Sequence, residues 1–336
     1  MINVAINGFG RIGRRVFRLL QNSKQFKVVA INDLADARTL SHLLKYDSVH
    51  GVFDGNITSG PNFINIAGNS VSLLNESHPK SIDWRPFDVH FVIEATGKFK
   101  NSAALKHHIK NGAKQVILSV PADEENIKTI VLGVNEDTIN GTELIISNAS
   151  CTTNNAAPMI DVINTLCGID QAYITTVHSY TTDQSLHDQP HRDLRRSRAA
   201  GQSIVPTTTG AAKALTKIFP DLSKAIGGCG IRVPVINGSL TDITFNVKKQ
   251  VSIDDINNAF KIASKAQYKG IIEYTEDPIV SIDIVGNRHS CVFDSQMTSV
   301  IGNMVKIIGW YDNESGYSQR IIDLMCNLSE KIPICR

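Results

Sequence analysis

A chain of 336 residues with 42% hydrophobic and 20% charged residues has the composition of a globular protein with room for two domains, which sets aside the disordered and fibrous classes. A formal net charge of +2 is too mild to argue for a nucleic-acid partner, and no apolar run approaches the ~18 residues of a membrane span. The six cysteines, at 151, 167, 229, 291, 326 and 335, form neither a Cys-x-x-Cys pair nor a zinc-spaced His/Cys cluster, so they read as reduced thiols without a metal site.

Residues 2 to 7 form an apolar strand with no charged leader or cleavage site before it, which predicts a cytosolic protein. Gly8-Phe9-Gly10-Arg11-Ile12-Gly13 follows at once, and a helical pattern through Val16, Leu19 and Leu20 follows that. This is G-x-G-x-x-G in the strand-turn-helix context that its mechanism requires. Gly8 permits the tight turn, Gly10 lets a pyrophosphate reach the backbone, and Gly13 lets helix and strand pack closely. The next strand, from Lys27 to Asn32, ends at Asp33, 20 residues after Gly13. A carboxylate there accepts from the adenosine ribose hydroxyls and repels a 2′-phosphate, so NAD is favoured over NADP. Strand-like runs at Val89 to Glu94, Gln115 to Ser119 and Thr129 to Val131, with a helical stretch from Ser102 to Asn111, predict a Rossmann-type, doubly wound parallel sheet. Ala95-Thr96-Gly97 and Ser119-Val120-Pro121 close two of these strands at the edge where such sheets bind ligands.

The run Glu143-Leu144-Ile145-Ile146 then leads through Ser147-Asn148-Ala149-Ser150 to Cys151, followed by a helical pattern with Met159, Ile160, Ile163 and Leu166. Cys151 thus falls where a strand turns into a helix, with Ser150 as a natural N-cap. A thiol in a first helical turn sees unpaired N–H groups and the positive end of the dipole, which favour the thiolate. A single cysteine is more often a small buried side chain. Its standing as a nucleophile depends on a base elsewhere.

That base is offered by His178, at the end of the β-branched run Ala172 to Val177. The polar loop after it runs into the densest basic stretch of the chain, His191 to Arg198, which includes Arg196. Pro206-Thr207-Thr208-Thr209-Gly210 leads into another helix, and Arg232 stands alone before Val233-Pro234. Two separate clusters of hydroxyls and cations beside a Cys/His pair suggest a substrate with two anionic groups. Strand signals at Leu240 to Lys248, Ile279 to Ile284, Ser290 to Phe293 and Val305 to Trp310, with a helix from Ile253 to Ala266, predict an α+β domain with a large mixed or antiparallel sheet. A helical tail runs from Gln319 to about Leu328.

Taken together, Ile6 to Arg14, Ser147 to Asn154, His178 to Thr181, Asp193 to Arg196, Pro206 to Ala214, Arg232 to Pro234 and Trp310 to Glu314 resemble, in order and spacing, the phosphorylating glyceraldehyde-3-phosphate dehydrogenases over essentially the whole chain. The resemblance implies a cytoplasmic, homotetrameric glycolytic enzyme. It would oxidise glyceraldehyde 3-phosphate with NAD and inorganic phosphate to 1,3-bisphosphoglycerate, with no membrane or nucleic acid required. It further implies an NAD-binding domain over residues 1–150, a catalytic domain over 151–315 and a C-terminal helix, 316–336, packed back on the first. Cys151 would be the nucleophile and His178 the base. Thr181 and Arg232 would hold the substrate's C3 phosphate, while Ser150, Thr152, Arg196, Thr209 and Gly210 would receive the attacking phosphate. Arg11, Ile12, Asp33, Thr96, Ser119, Asn313 and Tyr317 would join the three glycines at NAD, and the run from His178 to Gly201 would pack near a neighbouring subunit's cofactor. Erythrose-4-phosphate dehydrogenase, a sister family, is the nearest rival. Four positions depart from the common pattern: Asn155 replaces a cysteine four residues after the nucleophile, Thr182 an asparagine near the nicotinamide, Ser315 a tryptophan beside Asn313, and Ser77 a basic residue near the adenine. Loss of the tryptophan predicts a looser loop around Asn313.

Overall fold

The computed structural model describes residues 1–66 and 68–331; Cys335 lies outside the described residues. The chain divides into two units. The first holds residues 1–130 and 137–149 and the segment from Ser318 onward, and the second holds residues 131–136 and 150–317. The short segment 131–136 therefore belongs with the second unit, although it precedes residue 150.

The first unit is built on a nine-stranded sheet. Its parallel part runs, from one edge inward, through Lys128–Thr129, Ile145–Ser147, Gln115–Leu118, Phe91–Glu94, Ile2–Asn7, Phe26–Asn32 and Asn69–Leu74. Phe63–Ile66 and Ile57–Gly60 extend it antiparallel at the far edge. Val4, Ala5 and Ile6 are all completely buried, as expected of a parallel strand covered on both faces. From Ile2–Asn7 the chain winds outward to Phe26–Asn32, and later returns to place Phe91–Glu94 on the opposite side of the first strand. The strand order therefore reverses at the end of Ile2–Asn7, where the glycine turn opens helix Arg11–Leu20. Helix Ser315–Lys331 spans the end of the second unit and the final segment of the first, where Gln25 Nε2 donates to Ser329 Oγ at 2.8 Å.

The second unit has an eight-stranded mixed sheet in the order Val205–Thr207, Ile226–Val233, Ile169–Ser179, Ser239–Val247, Met304–Tyr311, Cys291–Asp294 and Ile272–Thr275, with Ser299–Ile301 pairing on Met304–Tyr311. Helices Cys151–Cys167 and Ile253–Lys265 pack against each other and against this sheet. Phe260 stacks on Phe293 with ring centroids 3.8 Å apart in the core between them. The expected strand at Ile279 to Ile284 is instead a series of turns. Its alternating apolar residues mimic a strand, yet Val280 and Ile282 are exposed, and the Asp283 carboxylate folds back to accept from the Val280 N–H at 2.8 Å. Ile226–Val233, which sequence reading did not mark as a strand, is parallel to Ile169–Ser179 and sets Arg232 directly beside His178. Its glycines permit this close pairing: a Cβ at Gly228 would lie 2.7 Å from the Ile174 carbonyl oxygen.

Candidate active site

In the first unit the glycine turn forms one wall of a crevice of about 340 Å³, lined among others by Gly8, Gly10, Asp33, Ser77 and Thr96. Gly8 has φ +95°, and a Cβ there would fall 2.7 Å from the Thr96 nitrogen. A Cβ at Gly13 would fall 2.2 Å from the Gly8 carbonyl oxygen, so this position must stay bare for helix and turn to meet. Gly10, by contrast, faces open space, and as N-cap of Arg11–Leu20 it borders first-turn N–H groups, including that of Ile12, that lack intrahelical partners. These are the features of a pyrophosphate cradle. Asp33 is oriented by the Phe9 N–H at 2.7 Å and the Ala35 N–H at 3.0 Å.

Arg11 does not point its charge into this space, being paired with Asp47 at 2.7 Å. Burial alone would raise Asp47, but the His50 and Val49 N–H groups and Arg11 outweigh it and hold the carboxyl at about 2. Ser119 is buried just past strand Gln115–Leu118, its N–H on the Glu94 carbonyl at 3.0 Å. Sequence reading missed Asn7, Asn32, His78 and Phe99, which also line the crevice. Asn7 and Asn32 close strands already recognised, and that position was the available signal.

In the second unit Cys151 is the first residue of its helix. Ser150 caps it, accepting from the Thr153 N–H at 3.1 Å. The preceding Ala149 has φ +57°, a left-handed conformation that costs a non-glycine residue about 1–2 kcal/mol and swings the chain sharply into the cap. Across 27 residues of sequence, strand Ile169–Ser179 delivers His178 so that Nε2 lies 3.4 Å from Cys151 Sγ. Its Nδ1 lies 2.7 Å from the Ser179 carbonyl and 2.6 Å from the Arg232 guanidinium, which also donates to that carbonyl at 2.9 Å.

The electrostatics refine the helix-terminus argument. Burial pushes the Cys151 thiol up, and only in second place do the Arg232 charge and hydrogen bonds at Thr152 pull it down. Burial and, after it, Arg232 push His178 down to about 3. Neither group ionises readily alone, but a proton passing from Sγ to Nε2 creates two opposite charges in contact, each stabilising the other.

Behind the pair, the Tyr311 hydroxyl bridges Thr152 and Thr176 at 2.9 Å each, and its ring meets His178 edge-on. In the sequence Tyr311 stands out only as a member of the Trp310 to Glu314 motif. The Thr152 hydroxyl is thus already engaged. Thr181 is held through N–H and hydroxyl contacts to Gln184. Arg196 is gathered by Asp183, Asp193 and the Thr207 hydroxyl, so its charge is shared with carboxylates. The Thr209 hydroxyl accepts from the Ala211 N–H at 3.2 Å at the start of helix Ala211–Ile218, where Gly210 is the N-cap.

Asn313 receives Ser179 Oγ at 2.8 Å and Ser239 Oγ at 3.0 Å on its Oδ1, which leaves its Nδ2 as the donor to offer. The Asn313 loop is firmly pinned. Asp312 Oδ1 accepts the Glu314 and Ser315 N–H groups at 2.8 Å each, and Oδ2 accepts the Gly286 N–H at 2.6 Å. Ser315, at the position of the absent tryptophan, is completely buried. Tyr317 is buried in the first turn of the same helix. Asn155, one turn below Cys151, directs its Nδ2 at the carbonyls of Ser290, Trp310 and Gly309 and ties the helix to the sheet.

Comparison with known proteins gives the family. Residues 2–102 match the family described as "Glyceraldehyde 3-phosphate dehydrogenase, NAD binding domain", and residues 150–313 match its C-terminal domain. Glyceraldehyde-3-phosphate dehydrogenase 2 of Streptomyces avermitilis is 50% identical over 96% of this chain and 97% of its own length. Glyceraldehyde-3-phosphate dehydrogenase 2 of Bacillus subtilis is 47% identical over 98% of each chain, and the Geobacillus stearothermophilus enzyme is 46% identical over 98% of this chain and 99% of its own. These matches disfavour the erythrose-4-phosphate reading. The chain belongs to the glyceraldehyde-3-phosphate dehydrogenase family and is an NAD-dependent glycolytic oxidoreductase.

Proposed function

We propose that Cys151 and His178 carry the phosphorylating oxidation of D-glyceraldehyde 3-phosphate to 1,3-bisphosphoglycerate. The observation that bears most weight is the contact of Sγ with Nε2 at 3.4 Å, backed by Arg232. His178 takes the Cys151 proton as sulfur adds to the aldehyde carbon, giving a thiohemiacetal. His178 hands that proton to the aldehyde oxygen as it becomes the hydroxyl and takes it back in the oxidation step, a form of help worth roughly 10²- to 10⁴-fold. NAD, when bound, accepts the hydride. The product is a thioester on Cys151, and an oxygen of inorganic phosphate displaces the sulfur, which returns as thiolate to be reprotonated.

Arg232, beside His178, and Thr181, three residues past it in sequence, are suited to the substrate's own phosphate. Arg196, Thr209 and Gly210, with Ser150 and Thr152, are suited to the incoming one. The Gly10 cradle and Asp33 would hold pyrophosphate and ribose, with Gly8, Arg11, Ile12, Gly13, Thr96, Ser119, Asn313 and Tyr317 completing the cofactor set. In this reading residues 1–150 hold NAD, 151–315 hold the substrate, and the C-terminal helix serves the first. A cytoplasmic homotetramer completes it. No helix among the described residues is long and apolar enough to cross a membrane, and Leu186, Leu194 and Ile204 present exposed apolar side chains around the basic run. Light scattering that finds a monomer would remove the tetramer. NADH formation from glyceraldehyde 3-phosphate, with erythrose 4-phosphate, NADP and phosphate-free controls, tests the chemistry. Turnover indifferent to phosphate would refute it.

A further inference from the structure

The steps above leave unused a set of buried polar side chains beneath the crevice of the first unit. Glu94 closes strand Phe91–Glu94 and is completely buried. Every partner it has there is a donor. Asn7 Nδ2 lies 2.5 Å and His108 Nε2 3.2 Å from one oxygen, while the Thr96 N–H at 2.9 Å and the Thr96 hydroxyl reach the other.

Groups that can play only one role fix the direction of each bond. The Trp84 indole N–H, a donor only, lies 3.0 Å from His108 Nδ1. That nitrogen accepts, so the imidazole proton sits on Nε2 and faces Glu94. On the other side the Glu76 backbone N–H donates to Asn32 Oδ1 at 2.8 Å. Asn32 Nδ2 is thereby turned to Asn7 Oδ1 at 2.7 Å, and Asn7 Nδ2 is turned in consequence to Glu94. One line of hydrogen bonds, Glu76 to Asn32 to Asn7 to Glu94 to Thr96, connects residues that all line or underlie the crevice. Networks satisfied at every member are rigid, and a single wrong donor in them is costly.

We propose that Glu94 is a positioning residue for NAD, the hub that sets the Thr96 turn against the glycine turn, with Trp84 and His108 fixing its remaining bond. Thr96 is the residue that a Cβ at Gly8 would strike, so its placement determines the width of the cradle. The adenosine side keeps its own anchor, because Asn32 also donates to the Glu76 carbonyl at 2.9 Å. The inference rests on reading this crevice as the NAD site.

In Glu94→Gln the side-chain NH₂ must face either Asn7 Nδ2 and the His108 proton or the Thr96 N–H, so at least one donor is left unmatched whichever way the amide lies. Calorimetric titration of the full-length chain with NAD and with AMP, which carries the adenosine half and one phosphate, measures the consequence. NAD should bind about ten- to a hundredfold more weakly, the scale of one or two buried donors left unmatched. AMP affinity and kcat at saturating NAD should stay within about threefold. Trp84→Phe, which releases the His108 proton, should lose about two- to fivefold in NAD affinity alone, and it decides the matter if the Gln variant does not fold. Unchanged NAD affinity in the folded variant, or an equal loss for NAD and AMP, would overturn the role. Asp33→Ala marks the crevice itself and should weaken both ligands. If it weakens neither, the crevice is not the NAD site and the role of Glu94 falls with it.

Discussion

Replacing His178 with Asn removes both the proton acceptor and the counter-charge of Cys151 while keeping a polar side chain of similar reach. At the observed 3.4 Å, a thiolate and an imidazolium attract by about 5 kcal/mol at an effective dielectric of about 20, or roughly 3.5 pH units. It works against the burial and the Arg232 charge that depress His178 from 6.5 to about 3. The sign follows. Burial keeps each group neutral by itself, whereas the pair can exchange a proton near neutrality. Because Cys151 is partly exposed, solvent screening leaves about half of the gross figure, so its reactivity at pH 7 should fall roughly 50- to 100-fold in His178→Asn. Stopped-flow alkylation with iodoacetamide from about pH 5 to 10, with peptide mapping of the labelled thiol, measures this. The parent should show a neutral-pH plateau, and the variant a single rise above about pH 9, where a thiol without a partner ionises. A variant that reacts within threefold of the parent at pH 7 would refute the pairing argument.

Asp47→Asn should lower stability by about 2 kcal/mol at neutral pH, because the folded carboxyl is held at about 2 against an ordinary 3.8. The stabilisation is present above about pH 4 and is lost as pH falls through about 2, so denaturant midpoints of parent and variant should converge in acid; a gap that persists there would contradict the assignment. Tyr311→Phe strips the shared hydroxyl from Thr152 and Thr176 and should cost about 1–3 kcal/mol in chemical denaturation. An unchanged midpoint would show that the bridge contributes nothing. Mild peroxide treatment should give sulfenic acid or mixed disulfides at Cys151, since Asn155 occupies the position of the nearest partner thiol. Peptide mapping that joined Cys151 to another cysteine of the chain would count against this.

What sequence alone revealed was local. Gly8, Gly10 and Gly13 carry their meaning within six residues, and Ser150 with Cys151 within two, because turn and cap chemistry depends on neighbours along the chain. Pairings across the fold were hidden. Nothing near Arg232 signals that a strand containing Gly227, Gly228 and Gly230 pairs parallel with the one ending at His178, since glycine is poor in intrinsic strand preference. The Tyr311 hydroxyl joins residues 159 and 135 positions away, and no periodicity encodes such a reach. At Ile279 to Ile284 the difference runs the other way, because period-two alternation suggests a half-buried strand, whereas Val280 and Ile282 face outward and only Ile284 is buried. The thiol argument was incomplete for a related reason: the helix start was visible, but burial was not.

The parallel register that places His178 opposite Arg232 has a further consequence. Neighbouring strands run about 4.8 Å apart, so the span between proton acceptor and guanidinium is a ruler built into the backbone rather than a property of a pliable loop. Slipping this ruler by one residue would bring Ile231 or Val233 opposite His178 and turn Arg232 to the other face. In the role proposed for Arg232, the spacing it keeps from His178 is inherited with the sheet itself. A descendant suited to a longer sugar phosphate would have to recruit its cation from a different strand.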